Sequence, residues 1–78
     1  NFNTMNTFPT LGAAVQYLNG FHHGKHLHRL NTLARLNPEW VTIVANNMWK
    51  TRGDNDFYAD LLDWAIPDVF TRALNGDA

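Results

Sequence analysis

Apolar residues recur along this chain at spacings of three and four, as helices require, and nowhere alternate as a half-buried strand would. Leu11, Ala14, Val15 and Leu18 fall at i, i+3, i+4 and i+7 behind Thr10, a good N-cap, so a first helix is predicted over residues 11–19. Asn19-Gly20 supplies its stop: Gly20 is expected to take the left-handed conformation, with Phe21 making the hydrophobic contact that follows. Gly24 opposes continuation of a helix through the histidines, so the second helix is predicted from Lys25 or His26, with Leu27, Leu30, Leu33, Ala34 and Leu36 on its apolar face. Asn37-Pro38-Glu39 reads as an N-cap, a proline at N1 and an acid in the first turn. A third helix therefore starts abruptly and runs over residues 38–51. Its apolar residues, among them Trp40, Val41, Ile43, Val44 and Met48, cover more than one face, which marks it as the central helix.

Gly53 closes that helix, with Lys50 and Arg52 complementing the negative end of its dipole. In the following turn Asp54, Asn55 and Asp56 can each cap a fourth helix, predicted over residues 56–65, with Phe57, Tyr58, Leu61, Leu62, Trp64 and Ala65 as its apolar content. Pro67 is predicted to break it and to start a fifth helix over residues 67–74, lined by Ile66, Val69, Phe70, Ala73 and Leu74. The expected fold class is all-α: a compact orthogonal bundle of four to five short helices over residues 10–76, without a sheet. Residues 1–9 read as an N-terminal tail. Because Met5 opens a second start, Asn1 to Thr4 read as an addition without functional weight.

Composition narrows this picture. The chain has 78 residues and no cysteine, so neither disulfides nor a thiolate zinc site can supplement the core. An apolar content of 45% and ten aromatic residues indicate a globular domain, with more aromatic surface than so small a core easily hides. No apolar run approaches the length of about 20 residues that crosses a bilayer, and the N-terminus lacks a signal-peptide pattern, so a soluble cytoplasmic protein without a membrane partner is expected. The net charge of -1 conceals an asymmetry. From His22 to Arg52, Lys25, Arg29, Arg35, Lys50 and Arg52 oppose Glu39 alone, giving +4; from Gly53 on, Asp54, Asp56, Asp60, Asp63, Asp68 and Asp77 oppose Arg72, giving -5.

All four histidines lie in the stretch FHHGKHLHRL, where His22, His23, Lys25 and Arg29 form a basic patch. His22 and His26, or His23 and His26, have a spacing that could reach a common metal ion if an aspartate completed the set. The cysteines or the H-E-x-x-H helix of strong zinc signatures are missing, so these remain weak candidates and no metal or other cofactor is expected. Protonation in mildly acidic solution would sharpen the basic half.

The third helix carries Thr42, Asn46, Asn47, Lys50 and Arg52, residue types that hold adenine edges and phosphates in a helix-turn-helix reader. The turn before it is too short for that motif, and a pI of about 6.4 offers little basic footprint. Nucleic-acid binding is therefore the alternative reading, and a small histidine-dependent metal-binding protein the third.

Asp56, Asp60 and Asp63 lie at i, i+4 and i+7, so one stripe of the fourth helix is carboxylate at a small cost in helix stability. A partner with a basic surface would explain it, and Trp49 and Tyr58 are candidate aromatic anchors of the same interface or of a homodimer. Catalysis finds little support: there is no serine or cysteine nucleophile, and a general acid-base pair such as His26 with Asp60 is not brought together by any sequence feature. The general look, a short, cysteine-free, aromatic-rich helical chain with segregated charge, is similar to small phage or mobile-element proteins that bind and inhibit a host machine, although the similarity covers no motif. The sequence thus predicts a non-enzymatic protein-interaction module, an inhibitor or adaptor, with an unidentified protein partner.

Overall fold

The computed structural model of the chain describes residues 7–76. Four helices follow one another, α1 (Leu11–Gly20), α2 (Leu27–Leu36), α3 (Pro38–Lys50) and α4 (Asp56–Leu74), and no strand occurs among the described residues. The all-α expectation holds. The tail reading over residues 1–6, with the start at Met5, lies outside the described residues.

Thr10 caps α1 as its chemistry requires, its Oγ1 accepting from the Ala13 amide at 3.1 Å. Gly20, however, is not the stop. The ring of Phe21 packs edge-on against Tyr17 at 5.1 Å, and Phe21 keeps right-handed backbone angles, so the chain turns onward. The left-handed positions are His23 (φ 54°) and Gly24 (φ 84°), where the Gly24 amide reaches back to the Asn19 carbonyl at 3.2 Å.

One residue, Asn37, separates α2 from α3 and serves both. Its amide donates to the Leu33 carbonyl at 2.7 Å, and its Oδ1 accepts from the Trp40 amide at 3.3 Å. Pro38 follows at N1, where no amide is needed. At the far end of α3, the buried side chain of Asn55 donates to the Met48 carbonyl at 3.0 Å, tying the start of α4 to the end of α3.

The core draws Ala14, Val15 and Leu18 from α1, Leu30 and Leu33 from α2, Val41, Ala45 and Met48 from α3, and Leu62 and Ile66 from α4. The central helix is α2, which packs against the other three, and not α3, which leaves Ile43 exposed and scarcely touches α4. Within α2, Leu27 and Leu36 are exposed although their spacing suggested an inner face; they stand at the two ends of the helix, and at its entrance His26 is the buried residue. The molecule measures 33 × 29 × 18 Å. Its thin dimension admits about two helix layers at the usual 8–10 Å axial spacing, so each helix keeps an outer face.

Pro67 does not end α4. It lies inside a continuous helix of 19 residues, so the predicted break and the fifth helix are absent. A proline there denies the Asp63 carbonyl its amide donor, at a cost of about 3 kcal/mol in an isolated helix. Packing on both sides offsets that: Leu62 and Ile66 before the proline and Val69, Phe70 and Ala73 after it all lie against the core.

Candidate protein-binding face

The helical repeat sorts the side chains of α4 into two apolar faces. Leu62 and Ile66 point inward, Ile66 being 0% exposed. On the opposite side Phe57, Leu61 and Trp64 stand at i, i+4 and i+7, and Phe57 and Trp64 remain 72% and 68% exposed. Tyr58, half-exposed, meets Phe57 edge-on at 5.6 Å. A helix with apolar rows on two opposite sides would normally be covered on both; this one is covered on one side only.

Beyond Tyr58 and Leu61 the surface falls into an open groove of about 380 Å³ where α3 and α4 diverge, lined mainly by Val44, Met48, Tyr58, Leu61 and Leu62, with Lys50 among the polar residues on the α3 side. Asp56 and Asp60 follow Trp64 around the helix on its other flank. Neither has a cation within ion-pair distance among the described residues. The acidic stripe is thereby divided. Asp63 turns toward α2, where its Oδ1 lies 3.1 Å from Lys25 Nζ and 2.7 Å from His26 Nε2. The hydrogen bond from His26, reinforced by the one from Lys25, holds its carboxyl below the usual carboxylate range.

His26 is 1% exposed. Arg29 Nη1 stands 3.5 Å from its Nδ1, and because a guanidinium can only donate, the tautomer that satisfies both contacts carries the proton on Nε2, toward Asp63. The acid-base pair considered from sequence, His26 with Asp60, is therefore replaced by His26 with Asp63. His22 donates from Nε2 to the Ala59 carbonyl at 2.8 Å, and its Nδ1 is buried without a partner. Of the basic patch, His23 and Lys25 are exposed, His22 is half-buried, and Arg29 lies 5.9 Å from the centre of the Phe70 ring. The metal candidates do not assemble: although the rings of His22 and His26 approach to 5.2 Å, His23 points to solvent, and no group of three or more ligating side chains gathers among the described residues.

Trp49 remains 37% exposed, but its ring is engaged by neighbours. It meets Phe8 and Tyr17 edge-on at 6.4 and 5.8 Å, and the Arg52 guanidinium covers its ring at 4.1 Å while donating from Nη1 to the Trp49 backbone carbonyl at 2.8 Å. Phe8 is thus part of the packed structure although it falls in the segment read as a tail. Among the nucleic-acid candidates, Asn46 is buried and its Oδ1 accepts from the Thr7 amide at 2.8 Å, and Thr42 is buried as well. Asn47 and Lys50 are exposed, and Arg52 is held on Trp49. The polar set of α3 does not form one outward reading edge.

Phe57, Leu61 and Trp64 were not separated by sequence reasoning from the rest of α4's apolar content. Their i, i+4, i+7 spacing was visible, and so was that of Leu62, Ile66 and Val69; only the packing decides which row is inside. No protein-family model, curated protein or solved structure matches the chain. Among the described residues no helix is long and apolar enough to cross a membrane.

Proposed function

We propose that this chain is a non-enzymatic protein-interaction module, acting as an adaptor or inhibitor, and that it binds its partner through the outer face of α4. The observation that carries this reading is the row Phe57, Leu61 and Trp64, turned outward beside an apolar groove that the chain's own helices leave open. Large aromatics at the centre of a polar rim are the usual anchors of protein interfaces, and Asp56 and Asp60 supply such a rim. Tyr58 joins the anchors proposed from sequence, whereas Trp49 contributes at most its exposed edge beneath Arg52. Lys25, His26 and Asp63 act inside the fold, fastening α4 to the entrance of α2.

The test is affinity capture from a lysate of the source cells with the wild-type chain and with Phe57→Ala and Trp64→Ala variants, each checked for unchanged helicity by circular dichroism. A partner retained by the wild type and lost from both variants is expected. Capture lists that do not depend on either residue would remove the reading.

A further inference from the structure

The groove and the apolar row beside it carry opposite halves of one contact. No carboxylate lines the groove among the described residues; its one charged lining residue is Lys50, on the α3 wall, exposed and in no ion pair among those residues. A helix lying there needs an apolar face toward Val44, Met48 and Leu61, and a carboxylate on the flank that meets α3. The chain itself has one such helix. Both α1 and α2 lack acidic residues and α3 has Glu39 alone, whereas α4 joins the exposed row of Phe57, Leu61 and Trp64 to Asp56 and Asp60. Those two carboxylates stand on the flank turned away from the groove and have no cation within ion-pair distance among the described residues. Four residues past Trp64, Asp68 pairs with Arg72 at 3.1 Å and ends the apolar row, which is thereby confined to the N-terminal part of α4. Lys50 lines the groove together with Tyr58 and Leu61, at that same end.

Resting on the reading of α4's outer face as a binding surface, we infer that this face takes up a second copy of the chain: α4 of each copy lies in the α3/α4 groove of the other, with Asp56 and Asp60 against the partner's Lys50. Symmetry decides the orientation. A two-fold axis running lengthwise between α4 and the groove keeps the two α4 helices parallel and exchanges their flanks, so the acidic flank of each meets the α3 wall of the other. An axis running across α4 makes the helices antiparallel and sets acidic flank against acidic flank. The lengthwise axis also preserves position along α4, so Lys50 and the two carboxylates, which share one end, meet at that end. Each contact then occurs twice, as in any isologous interface. A foreign acidic helix fills the groove alone, whereas a second copy offers a groove to the row as well. The net charge of -1 leaves little general repulsion between copies. With one cation in each contact the affinity is modest, on the order of micromolar. A dilute chain is therefore monomeric with its face open, and another protein competes with the second copy only when the chain is concentrated.

The experiment is sedimentation velocity on the full chain from about 1 μM to about 1 mM, at low salt, with every variant checked for unchanged helicity by circular dichroism. The wild type is expected to pass from monomer to dimer within that range. Trp64→Ala should weaken self-association about tenfold or more. Lys50→Asp and Asp56→Lys/Asp60→Lys each place like charges at both symmetric contacts, so each alone should self-associate about tenfold more weakly or worse. Mixed in equal amounts, these two variants should pair again, because every contact then joins an acid to a base. A chain that stays monomeric throughout overturns the inference. So does a dimer indifferent to Trp64→Ala, one indifferent to Lys50→Asp, as an antiparallel pair would be, or a mixture that associates no better than either variant alone. If the chain is monomeric while capture of another protein still depends on Phe57 and Trp64, the binding face stands and only the second copy is wrong; if neither depends on them, both fall.

Discussion

The two faces of α4 are close in composition and opposite in circumstance. The inner face puts Leu62 and Ile66 against α2 and gives Asp63 to Lys25 and His26; the outer face leaves Phe57, Leu61 and Trp64 to solvent and Asp60 without a cation among the described residues. Apolar content therefore does not tell which side of a helix folds the protein. What separates the faces is contact with α2: the inner one draws its stability from that contact, whereas the outer one lies in solvent. Asp63 and Asp60, three residues apart, carry the same contrast in a single residue type.

Substitutions can break that contrast if it is wrong. The largest difference is expected between Ile66→Ala and Trp64→Ala. Ile66→Ala should lose about 2–5 kcal/mol in urea denaturation, as a buried aliphatic truncation does, while Trp64→Ala should stay within about 0.5 kcal/mol of wild type. Equal losses would place Trp64 inside. His26→Ala comes next, because it empties a buried ring position and strands a hydrogen bond from each side; a loss of about 1–3 kcal/mol is expected by the same measurement. A smaller effect is set by pH. The carboxyl of Asp63 is held below its ordinary range in the folded state, so the stability it contributes is fully present above the unfolded value and disappears as pH falls through the folded one. Asp63→Asn should accordingly flatten the acid limb of a thermal-melting profile taken from neutral to strongly acid pH, and Asp60→Asn should leave that limb as it is. Smallest of all, Asp60→Asn at neutral pH should raise stability by about 0.2–0.5 kcal/mol, since it removes like-charge neighbours from Asp56 and Asp63; a loss of that size would reveal an ion pair at Asp60.

Much of the architecture was legible along the chain because local chemistry determines it. Thr10, Asn37 and Pro38 act at helix ends through groups within three or four residues, and Gly53 takes the left-handed conformation (φ 94°) just past α3 as a terminating glycine should. Where tertiary contact competes with a local signal, the signal misleads. Gly20 is overridden by the Phe21 ring on Tyr17, and Pro67 by the core contacts that hold α4 on either side of it. The centrality of α2 was hidden for a related reason: spacing shows how wide an apolar face is, not how many neighbours meet it.

The candidate site was legible in its residue types more than in its grouping. Tyr58 and the carboxylates of Asp56 and Asp60 were visible as surface features of α4, but Asp63 belonged with them only until α2 was placed beside it. Asn46 looked like a free carboxamide because its acceptor role is filled from Thr7, distant in sequence. Trp49 keeps exposed surface as expected, and its membership of an aromatic cluster with Phe8, Tyr17 and Phe21 was hidden because that cluster is assembled from separate segments.

One consequence follows from the position of α2. The two walls of the groove hardly touch each other, yet both lean on the same helix behind them, so the gap is held open from the rear as two boards are by a common spacer. Leu30 and Leu33, the core residues of that helix, are not part of the groove's lining. Changing the bulk of those two side chains would therefore act on both walls from behind, without replacing any residue that lines the groove.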